Sequence, residues 1–297
     1  MKNILISGAT SYIGLALCAH FIKMGCSVHV VVRPTTNLSR LKLLSPVPNI
    51  HIDKGSAQCF AKIFEITKPD IVYHLATMYL RKHTPNDIEQ MVISNILFGT
   101  RLIDAMCNAN IPNLIYAGTF GQHYGEHGRE SQNLNAATKE AFRSIVNYYI
   151  DSNCLKATQI TLFDIYGPGD WRSRFINAIW ECQKTGSPLL LPSEDLPIDL
   201  VYIDDAVSAF VQAGQFLFTN AQNVQKEYCV SSGNQYLLSE VIEKFETVVG
   251  SQLKKNWGKF TIPERAPKTL WRGEQVPGWK ATVPLEEGIY RLIKFKG

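Results

Sequence analysis

The feature that most constrains the fold of this chain is the alternation of short apolar segments with helical ones over its first half. The apolar segments are apolar on both sides, as strands buried on both faces of a parallel sheet must be. Strands joined by helices are typical of βαβ units, so the pattern predicts an α/β fold with a doubly wound parallel sheet. The predicted strands are Asn3–Ser7, Ser27–Val32, Ile71–His74, Asn113–Ala117 and Thr158–Phe163, and the predicted helices are Ile13–Met24, Gln58–Thr67, Asp87–Ala109 and Asn135–Ser152.

The second half of the chain has a looser pattern. Proline and glycine cluster within residues 186–192 and 263–284, and further helices are expected between them and on either side. We therefore predict a larger domain of residues 1–165 and a smaller C-terminal substrate domain of residues 166–297, which returns some strands or helices to the first. The chain has 297 residues, of which 45% are hydrophobic and 19% charged, enough for sizeable cores.

Charge and composition exclude several classes of protein. The 30 basic and 26 acidic side chains give a net charge of +4 and are scattered, so we expect no nucleic-acid partner. No apolar run approaches the ~20 residues that a membrane span needs, and the N-terminal run is too short for a signal peptide. The seven cysteines form no C-x-x-C pair or zinc-site spacing. We expect a cytoplasmic protein with reduced thiols, no metal and no membrane contact.

A loop with glycine at both ends, Gly8-Ala9-Thr10-Ser11-Tyr12-Ile13-Gly14, follows the first predicted strand and opens the first predicted helix. There the small residues let the backbone approach a pyrophosphate, whose charge suits the helix N-terminus. Strand, loop and helix in succession indicate a dinucleotide site in a Rossmann-type sheet. Ser11 replaces a third glycine, and a positive φ there would be somewhat strained. The residues expected to bind the cofactor in this loop are Gly8, Thr10, Ser11, Tyr12, Ile13 and Gly14.

The residue at the end of the second predicted strand bears on the choice of dinucleotide. Arg33 stands there, 19 residues after Gly14. An acidic residue at this point would accept hydrogen bonds from the ribose hydroxyls of NAD, whereas an arginine pairs with a 2′-phosphate. Arg33 therefore favours NADP(H). Ser39 and Arg40 either assist from the following loop or are ordinary exposed polar residues.

The order of these and later motifs resembles the extended branch of the short-chain dehydrogenase/reductase superfamily, also called the NAD-dependent epimerase/dehydratase family. Within that branch, residues 118–124 and 133–139 are similar to the bacterial CDP-paratose and CDP-abequose synthases, which reduce a 4-keto deoxy nucleotide-sugar with NADPH for surface polysaccharide. The motifs that carry the resemblance are Gly8–Gly14, His74-Leu75-Ala76, Asn95–Thr100, Ala137–Glu140, Tyr166-Gly167-Pro168-Gly169, Val201–Ala206, Gly278-Trp279-Lys280 and Leu285–Ile289.

The resemblance implies a catalytic triplet, from which this chain departs at one position. In the superfamily a Ser or Thr hydrogen-bonds the substrate oxygen, a Tyr supplies the proton, and a Lys four residues later lowers the pKa of that Tyr and holds the nicotinamide ribose. Thr119 and Lys139 match the first and third of these, but Asn135 stands where the Tyr is expected. An amide donates a hydrogen bond but does not ionise near neutral pH, so it cannot replace the phenol.

Three explanations of Asn135 remain open from the sequence. The chain carries a Tyr-to-Asn change that disables turnover, another acid such as His123 or Tyr124 serves, or the natural protein has lost catalysis. If the site is disabled, Asn135→Tyr should raise kcat by at least ~10²-fold. A second Tyr-x-x-x-Lys, Tyr290 to Lys294, lies in the last predicted helix, where such a spacing is an ordinary surface pair.

The resemblance also implies contacts with the cofactor and the nucleotide-sugar. Further cofactor contacts are expected from Asp53, Leu75, Ala76, Asn95, Lys139 and Ile165. Asn95 either holds a water relay behind the lysine or is a packing or kink residue. Substrate contacts are expected from Thr77, Thr119, Gln122, His123, Asp164 and Arg174, the last of which fits a salt bridge equally well. A homodimer through the helices Asp87–Ala109 and Asn135–Ser152 is expected on the same ground, and the apolar positions of these helices fit packing on the chain's own sheet equally well.

The residues after Thr119 bear on the type of reaction. Sugar 4,6-dehydratases of the family carry an Asp-Glu pair there, whereas this chain has Phe120-Gly121, so dehydration is not expected. An epimerase recycles a tightly held NAD, while a net reductase consumes NADPH, and Arg33 favours the second. The sequence thus indicates an NADPH-dependent nucleotide-sugar 4-ketoreductase. The alternatives are a nucleotide-sugar epimerase and a non-catalytic NADP-binding sensor.

Overall fold

The computed structural model describes residues 1–125, 129–219, 226–262 and 265–296. The strands are β1 (Asn3–Ser7), β2 (Ser27–Val32), β3 (Asn49–Ile52), β4 (Ile71–His74), β5 (Asn113–Thr119), β6 (Lys156–Leu162), β7 (Asp164–Tyr166), β8 (Leu189–Leu190), β9 (Pro197–Ile198), β10 (Leu200–Tyr202), β11 (Lys226–Val230), β12 (Tyr236–Leu237) and β13 (Lys255–Asn256). The helices are α1 (Tyr12–Lys23), α2 (Ala57–Thr67), α3 (Ile88–Val92), α4 (Phe98–Asn108), α5 (Leu134–Asp151), α6 (Phe175–Thr185), α7 (Ile203–Thr219), α8 (Leu238–Val249) and α9 (Leu285–Lys296). A π-helical segment, Ile93–Leu97, joins α3 to α4.

The main sheet has seven strands in the order β11-β6-β5-β4-β1-β2-β3. Every neighbouring pair in it runs parallel. The strand order reverses between β1 and β4, and in open α/β sheets ligands bind at such a point, outside the carboxyl ends of the strands. The doubly wound α/β fold predicted from the sequence is therefore confirmed.

The strands alternate their side chains between two separate cores. In β1, Ile4 and Ile6 belong to the core that includes residues of α1 and α7, whereas Leu5 belongs to the core formed with α2, α4 and α5. All three of these side chains are fully buried. Helices therefore cover both faces of the sheet. Burial on both faces holds each strand in place and so sets the direction in which the loop after it leaves the sheet.

The sequence pattern does not predict β3 and β11. β3 is a short edge strand in which polar residues alternate with isoleucines, and β11 begins with the charged pair Lys226-Glu227. Neither has the continuous apolar character of the central strands. The helix predicted over Asp87–Ala109 is interrupted by the π-helical segment.

The chain after β6 contributes to both halves of the molecule. β11 pairs with β6 in the main sheet, and α7 packs against α1, β5 and β6. The short pairs β7–β10, β8–β13 and β9–β12 form outside that sheet. The domain division at residue 165 stays a prediction. Among the described residues, no helix combines the length and apolar character needed to span a bilayer.

Candidate active site

One cavity of about 1720 Å³ lies along the carboxyl edge of the main sheet. The loops that follow β1 to β6 all line it, because parallel strands end at the same edge. The sequence-predicted residues that line the cavity are Gly8, Thr10, Ser11, Tyr12, Ile13, Arg33, Asp53, Leu75, Ala76, Thr77, Thr119, Asn135, Lys139, Asp164, Ile165 and Arg174. Four other residues that the sequence predicts at the site are not among the described residues that line the cavity: Gly14, Asn95, Gln122 and His123.

The loop after β1 has the close packing that a dinucleotide cradle requires. Gly8 has φ +76°, and a Cβ added there would lie 2.5 Å from the backbone nitrogen of Ala76. A Cβ added at Gly14 would lie 2.3 Å from the carbonyl oxygen of Gly8. Only glycine leaves this space between the first loop and the end of β4.

Ser11 avoids the strain that a positive φ would bring. Its φ of −72° and ψ of 163° are extended, and it is the N-cap of α1, where its Oγ accepts a hydrogen bond of 3.1 Å from the backbone N–H of Gly14. The N–H groups of Tyr12 and Ile13 belong to the first turn and have no acceptor within the helix. Both residues line the cavity, so this helix end suits the pyrophosphate of a pyridine dinucleotide.

The loops after β2 and β3 line the end of the cavity where the sequence predicts the adenosine of the cofactor. Arg33 is exposed, and its backbone N–H donates to Oγ1 of Thr36 at 3.1 Å. Asp53 is buried and accepts from the backbone N–H of Gly55 at 2.8 Å, so it shapes the turn as well as lining the cavity. Arg40 also lines the cavity, with its guanidinium 3.6 Å from the ring centroid of Trp171, whereas Ser39 is not among the described lining residues.

The N-terminus of α5 presents two of the predicted catalytic positions. Asn133 caps the helix by accepting from the backbone N–H of Ala136 at 3.0 Å. Asn135 and Lys139 follow on one face, four residues apart. Nζ of Lys139 donates to the carbonyl oxygen of Ala117 in β5 at 2.8 Å, and burial lowers the pKa of this lysine to about 8. Lys139 is thus held against the strand that ends in Thr119.

Asn135 is buried, and its two amide atoms differ in their partners. The hydroxyl of Thr77 lies 3.5 Å from Oδ1 of Asn135 and 3.2 Å from Oδ1 of Asn95. No described residue accepts a hydrogen bond from Nδ2 of Asn135. Because Asn135 lines the cavity, its NH₂ group remains as a donor for a bound molecule.

Asn95 lies in the π-helical segment and fixes the loop after β4. Its Oδ1 accepts from the backbone N–H of Met78 at 2.7 Å, and its Nδ2 donates to the carbonyl oxygen of Met78 at 3.1 Å and to Oγ1 of Thr138 at 3.0 Å. π-Helical segments are frequent at functional sites. Here the segment turns the buried amide of Asn95 towards the loop that carries Thr77.

Gln122 and His123 lie behind the cavity wall and support the turn that follows Thr119. Oε1 of Gln122 accepts from the backbone N–H of Thr119 at 3.0 Å. The ring of His123 stacks on Trp271 with 3.7 Å between centroids and lies 2.8 Å from a carboxylate oxygen of Glu227. Burial alone would raise the pKa of Glu227, but hydrogen bonds from His123 and Thr161 and the charge of Arg129 lower it to about 2.

Sequence reasoning did not find Glu227, because its partner His123 is 104 residues away. It also did not single out Arg81 and Arg172, which line the cavity with Arg174. Arg172 donates to Asp170 at 2.8 Å and to the carbonyl oxygen of Ile165 at 2.7 Å. The sequence signal that could have identified Arg172 is its Arg-x-Arg spacing from Arg174, shortly after Gly167-Pro168-Gly169.

The cavity is basic. Among the described residues its lining includes nine Lys or Arg side chains and four Asp or Glu side chains. Arg174 lies 3.5 Å from Asp164 and over the ring of Tyr79, so it forms the expected salt bridge, while the contact with a substrate diphosphate stays a prediction. Burial raises the pKa of Asp164, although Arg174, Arg172 and Arg81 act in the opposite direction. Such a surplus of cations suits a ligand with several phosphates.

Comparisons with known proteins agree with this geometry. The model of the NAD dependent epimerase/dehydratase family matches residues 4–230. The chain is 27% identical to a CDP-abequose synthase of Salmonella muenchen over 99% of its own length and 98% of the relative's. In fold it is similar to UDP-glucuronic acid 4-epimerase from Bacillus cereus, solved as a variant with a fluorinated UDP-sugar and NAD, with a TM-score of 0.85, 20% identity, and coverage of 99% of this chain and 98% of that one. It is also similar to UDP-glucose 4-epimerase from Thermotoga maritima, with a TM-score of 0.84, 18% identity and the same coverage.

Proposed function

The chain belongs to the NAD dependent epimerase/dehydratase family, and from that premise we propose that it is an NADPH-dependent reductase of a 4-keto deoxy nucleotide-sugar. We propose a CDP-linked substrate and a place in the synthesis of surface-polysaccharide sugars. The observation that carries the proposal is that a single basic cavity is lined by Arg33 at one end and by Thr119 and Lys139 further along. The end-to-end match to a CDP-abequose synthase supports the choice of substrate.

The residues beside Thr119 support reduction over dehydration. Elimination of water requires an acid and a base near the reacting carbons, and Phe120 and Gly121, which follow Thr119 in the cavity wall, supply neither. Phe120 instead stacks on Phe163 with 5.0 Å between ring centroids.

Each part of the cavity has a role in this reaction. The first loop and the N-terminus of α1 would hold the cofactor pyrophosphate, and Arg33 the 2′-phosphate. When bound, the reduced pyridine nucleotide supplies the hydride. The hydroxyl of Thr119 and the Nδ2 group of Asn135 donate hydrogen bonds to the substrate oxygen as it becomes negative. Arg81, Arg172 and Arg174 would bind the diphosphate of the nucleotide-sugar.

Turnover tests the proposed function directly. We expect NADPH oxidation when purified protein is mixed with a CDP-linked 4-keto-6-deoxy sugar, and a slower rate with the UDP- and dTDP-linked analogues. Oxidation of NADPH is followed by its absorbance and the alcohol product by mass spectrometry. Interconversion of a UDP-sugar with its 4-epimer without net cofactor consumption would favour the epimerase, and cofactor binding without affinity for any nucleotide-sugar would favour the sensor.

Replacing Arg33 tests the choice of cofactor. Arg33→Ala removes the cation proposed to pair with the 2′-phosphate, and charge-assisted hydrogen bonds contribute about 1.5–3 kcal/mol. We expect the Kd for NADPH to rise at least ~10-fold while that for NADH changes less than ~3-fold, measured by fluorescence titration. Lys42→Ala is the matched control, because Lys42 is an exposed cation of the same loop that is absent from the described lining. Equal or tighter binding of NADH by the unaltered protein would contradict the NADPH proposal.

We also propose the homodimer expected from the sequence. The helical run through α3 and the π-helical segment exposes Ile88, Val92, Ile93 and Leu97, and α5 exposes Tyr148. These apolar side chains lie on the elements named for the dimer, and their burial between two copies would stabilise it.

A further inference from the structure

We propose, on the basis of the reductase function above, that Lys139 is the proton donor of the reaction, its ε-ammonium group replacing the absent phenol. The proposal starts from the position of Nζ, which is held by a hydrogen bond of 2.8 Å to the carbonyl oxygen of Ala117, two residues before Thr119. Lys139 lines the cavity, as do Thr119 and Asn135. The described residues offer it no carboxylate partner, so its protons are not committed to an ion pair.

The side chain at position 135 leaves Lys139 open to the substrate. Asparagine is far smaller than tyrosine, and it precedes Lys139 by one helical turn on the same face of α5. A substrate oxygen that accepts from Nδ2 of Asn135 and from the hydroxyl of Thr119 would therefore lie beside the ammonium group. Two neutral donors and one cation then surround the oxygen on which negative charge develops.

Other acids fit this position less well. His123 and Tyr124, the two candidates suggested by the sequence, are not among the described residues that line the cavity. The hydroxyl of Tyr12 donates to the carbonyl oxygen of Pro168 at 3.0 Å, and burial raises its pKa. Tyr79 and Asp164 both contact Arg174, where the substrate diphosphate is proposed.

The surroundings of Lys139 also bring its pKa into the range that suits a proton donor. Burial lowers its pKa to about 8, and an acid works best when its pKa is near the operating pH. The charge of Lys139 acts on His74 of β4. Burial and that charge lower the pKa of His74 to about 3, so His74 stays neutral. Glu140, next on α5, is bound by Gln122, Arg129 and Arg143 instead.

The step balances without a further reactant. The ketone carbon gains hydrogen as hydride from the reduced pyridine nucleotide, and the π electrons of the C=O bond move onto the oxygen. An N–H bond of Lys139 breaks as the O–H bond of the alcohol forms. Lysine is left as a neutral amine, which regains its proton from water.

The pH dependence of single turnovers tests the assignment. Because the ammonium form is the reactant, we expect the rate of hydride transfer by the unaltered protein to fall about tenfold per pH unit above about 8. In Lys139→Arg the guanidinium keeps its protons. We therefore expect its rate to be lower by at least ~10²-fold, the lower end for a positioned acid, and independent of pH over this range. The matched control is Lys294→Met, which removes the exposed lysine of the other Tyr-x-x-x-Lys and should behave as the unaltered protein.

A substrate-independent measurement accompanies the rates. Acetylation of Lys139 by acetic anhydride, followed by mass spectrometry across a pH series, should give a midpoint near 8; the exposed Lys294 is followed in the same spectra as a reference. The Kd for NADPH, measured by fluorescence, separates proton donation from cofactor binding. If Lys139 only holds the cofactor, Lys139→Arg should raise the Kd for NADPH, and the rate of hydride transfer by this variant should still fall with rising pH.

Asn135→Tyr distinguishes Lys139 from a missing acid. With Lys139 donating, restoring the phenol should change kcat less than ~10-fold, whereas a gain of ~10²-fold or more would show that the proton donor was lost and overturn the assignment. Turnover without a falling limb near pH 8 would also overturn it, while leaving the reductase function intact. Failure to reduce any 4-keto nucleotide-sugar would overturn the proposed function and, with it, the role of Lys139.

Discussion

Gly8→Ala is expected to weaken binding of the pyridine nucleotide by at least ~10²-fold. The added Cβ would lie 2.5 Å from the nitrogen of Ala76 and 2.6 Å from the carbonyl carbon of Leu75, both backbone atoms that cannot rotate away. The loop must therefore move out of its cradle, into the space that the pyrophosphate needs. Fluorescence titration with NADPH and NADH measures the effect.

The same substitution also destabilises the fold, and a second glycine separates the two contributions. Gly8 and Gly25 have nearly equal φ, +76° and +75°, but a Cβ at Gly25 would meet nothing within 4 Å. Both variants lose about 1–2 kcal/mol in free energy of unfolding from left-handed strain, and Gly8→Ala about 1–3 kcal/mol more from overpacking. Gly25→Ala should bind cofactor normally. Normal cofactor binding by Gly8→Ala would mean that the loop does not contact the pyrophosphate.

Thr119→Val is expected to reduce kcat by about 10²–10³-fold, the loss typical when one donor to a developing oxyanion is removed. Thr119 ends β5, where valine is equally at home, and the two side chains are similar in size. Its Oγ1 accepts from the backbone N–H of Gly121 at 3.4 Å, which leaves the hydroxyl proton for the substrate. Single-turnover rates with NADPH and the 4-keto sugar measure the loss.

The control for Thr119 must show that removing a hydroxyl is harmless elsewhere. Thr247→Val serves, because the hydroxyl of Thr247 on α8 only donates to the carbonyl oxygen of Glu243. Both variants should keep the cofactor Kd of the unaltered protein within ~3-fold. A Thr119→Val variant with unaltered kcat would place the reacting oxygen elsewhere in the cavity.

Local sequence patterns predicted much of the fold because its central strands are buried on both faces. β1, β2, β4 and β5 are largely apolar segments, and glycines with small residues mark the loop after β1. The same pattern failed at β3 and β11, whose polar residues reflect an edge position and a place in the network around Glu227. Ser11 is accommodated in place of a glycine because its backbone is extended and its side chain caps α1, which local sequence could not show.

By itself the sequence determined the doubly wound fold, the residues of the first loop and the absence of a phenol four residues before Lys139. These follow from local periodicity and from residue identity, which need no knowledge of distant contacts. Only the tertiary structure decided that Gln122 and His123 lie behind the cavity wall and that Lys139 is half-buried against β5 with its pKa lowered. Those properties depend on which chain segments exclude water and donate hydrogen bonds at one point, and strands distant in sequence supply them.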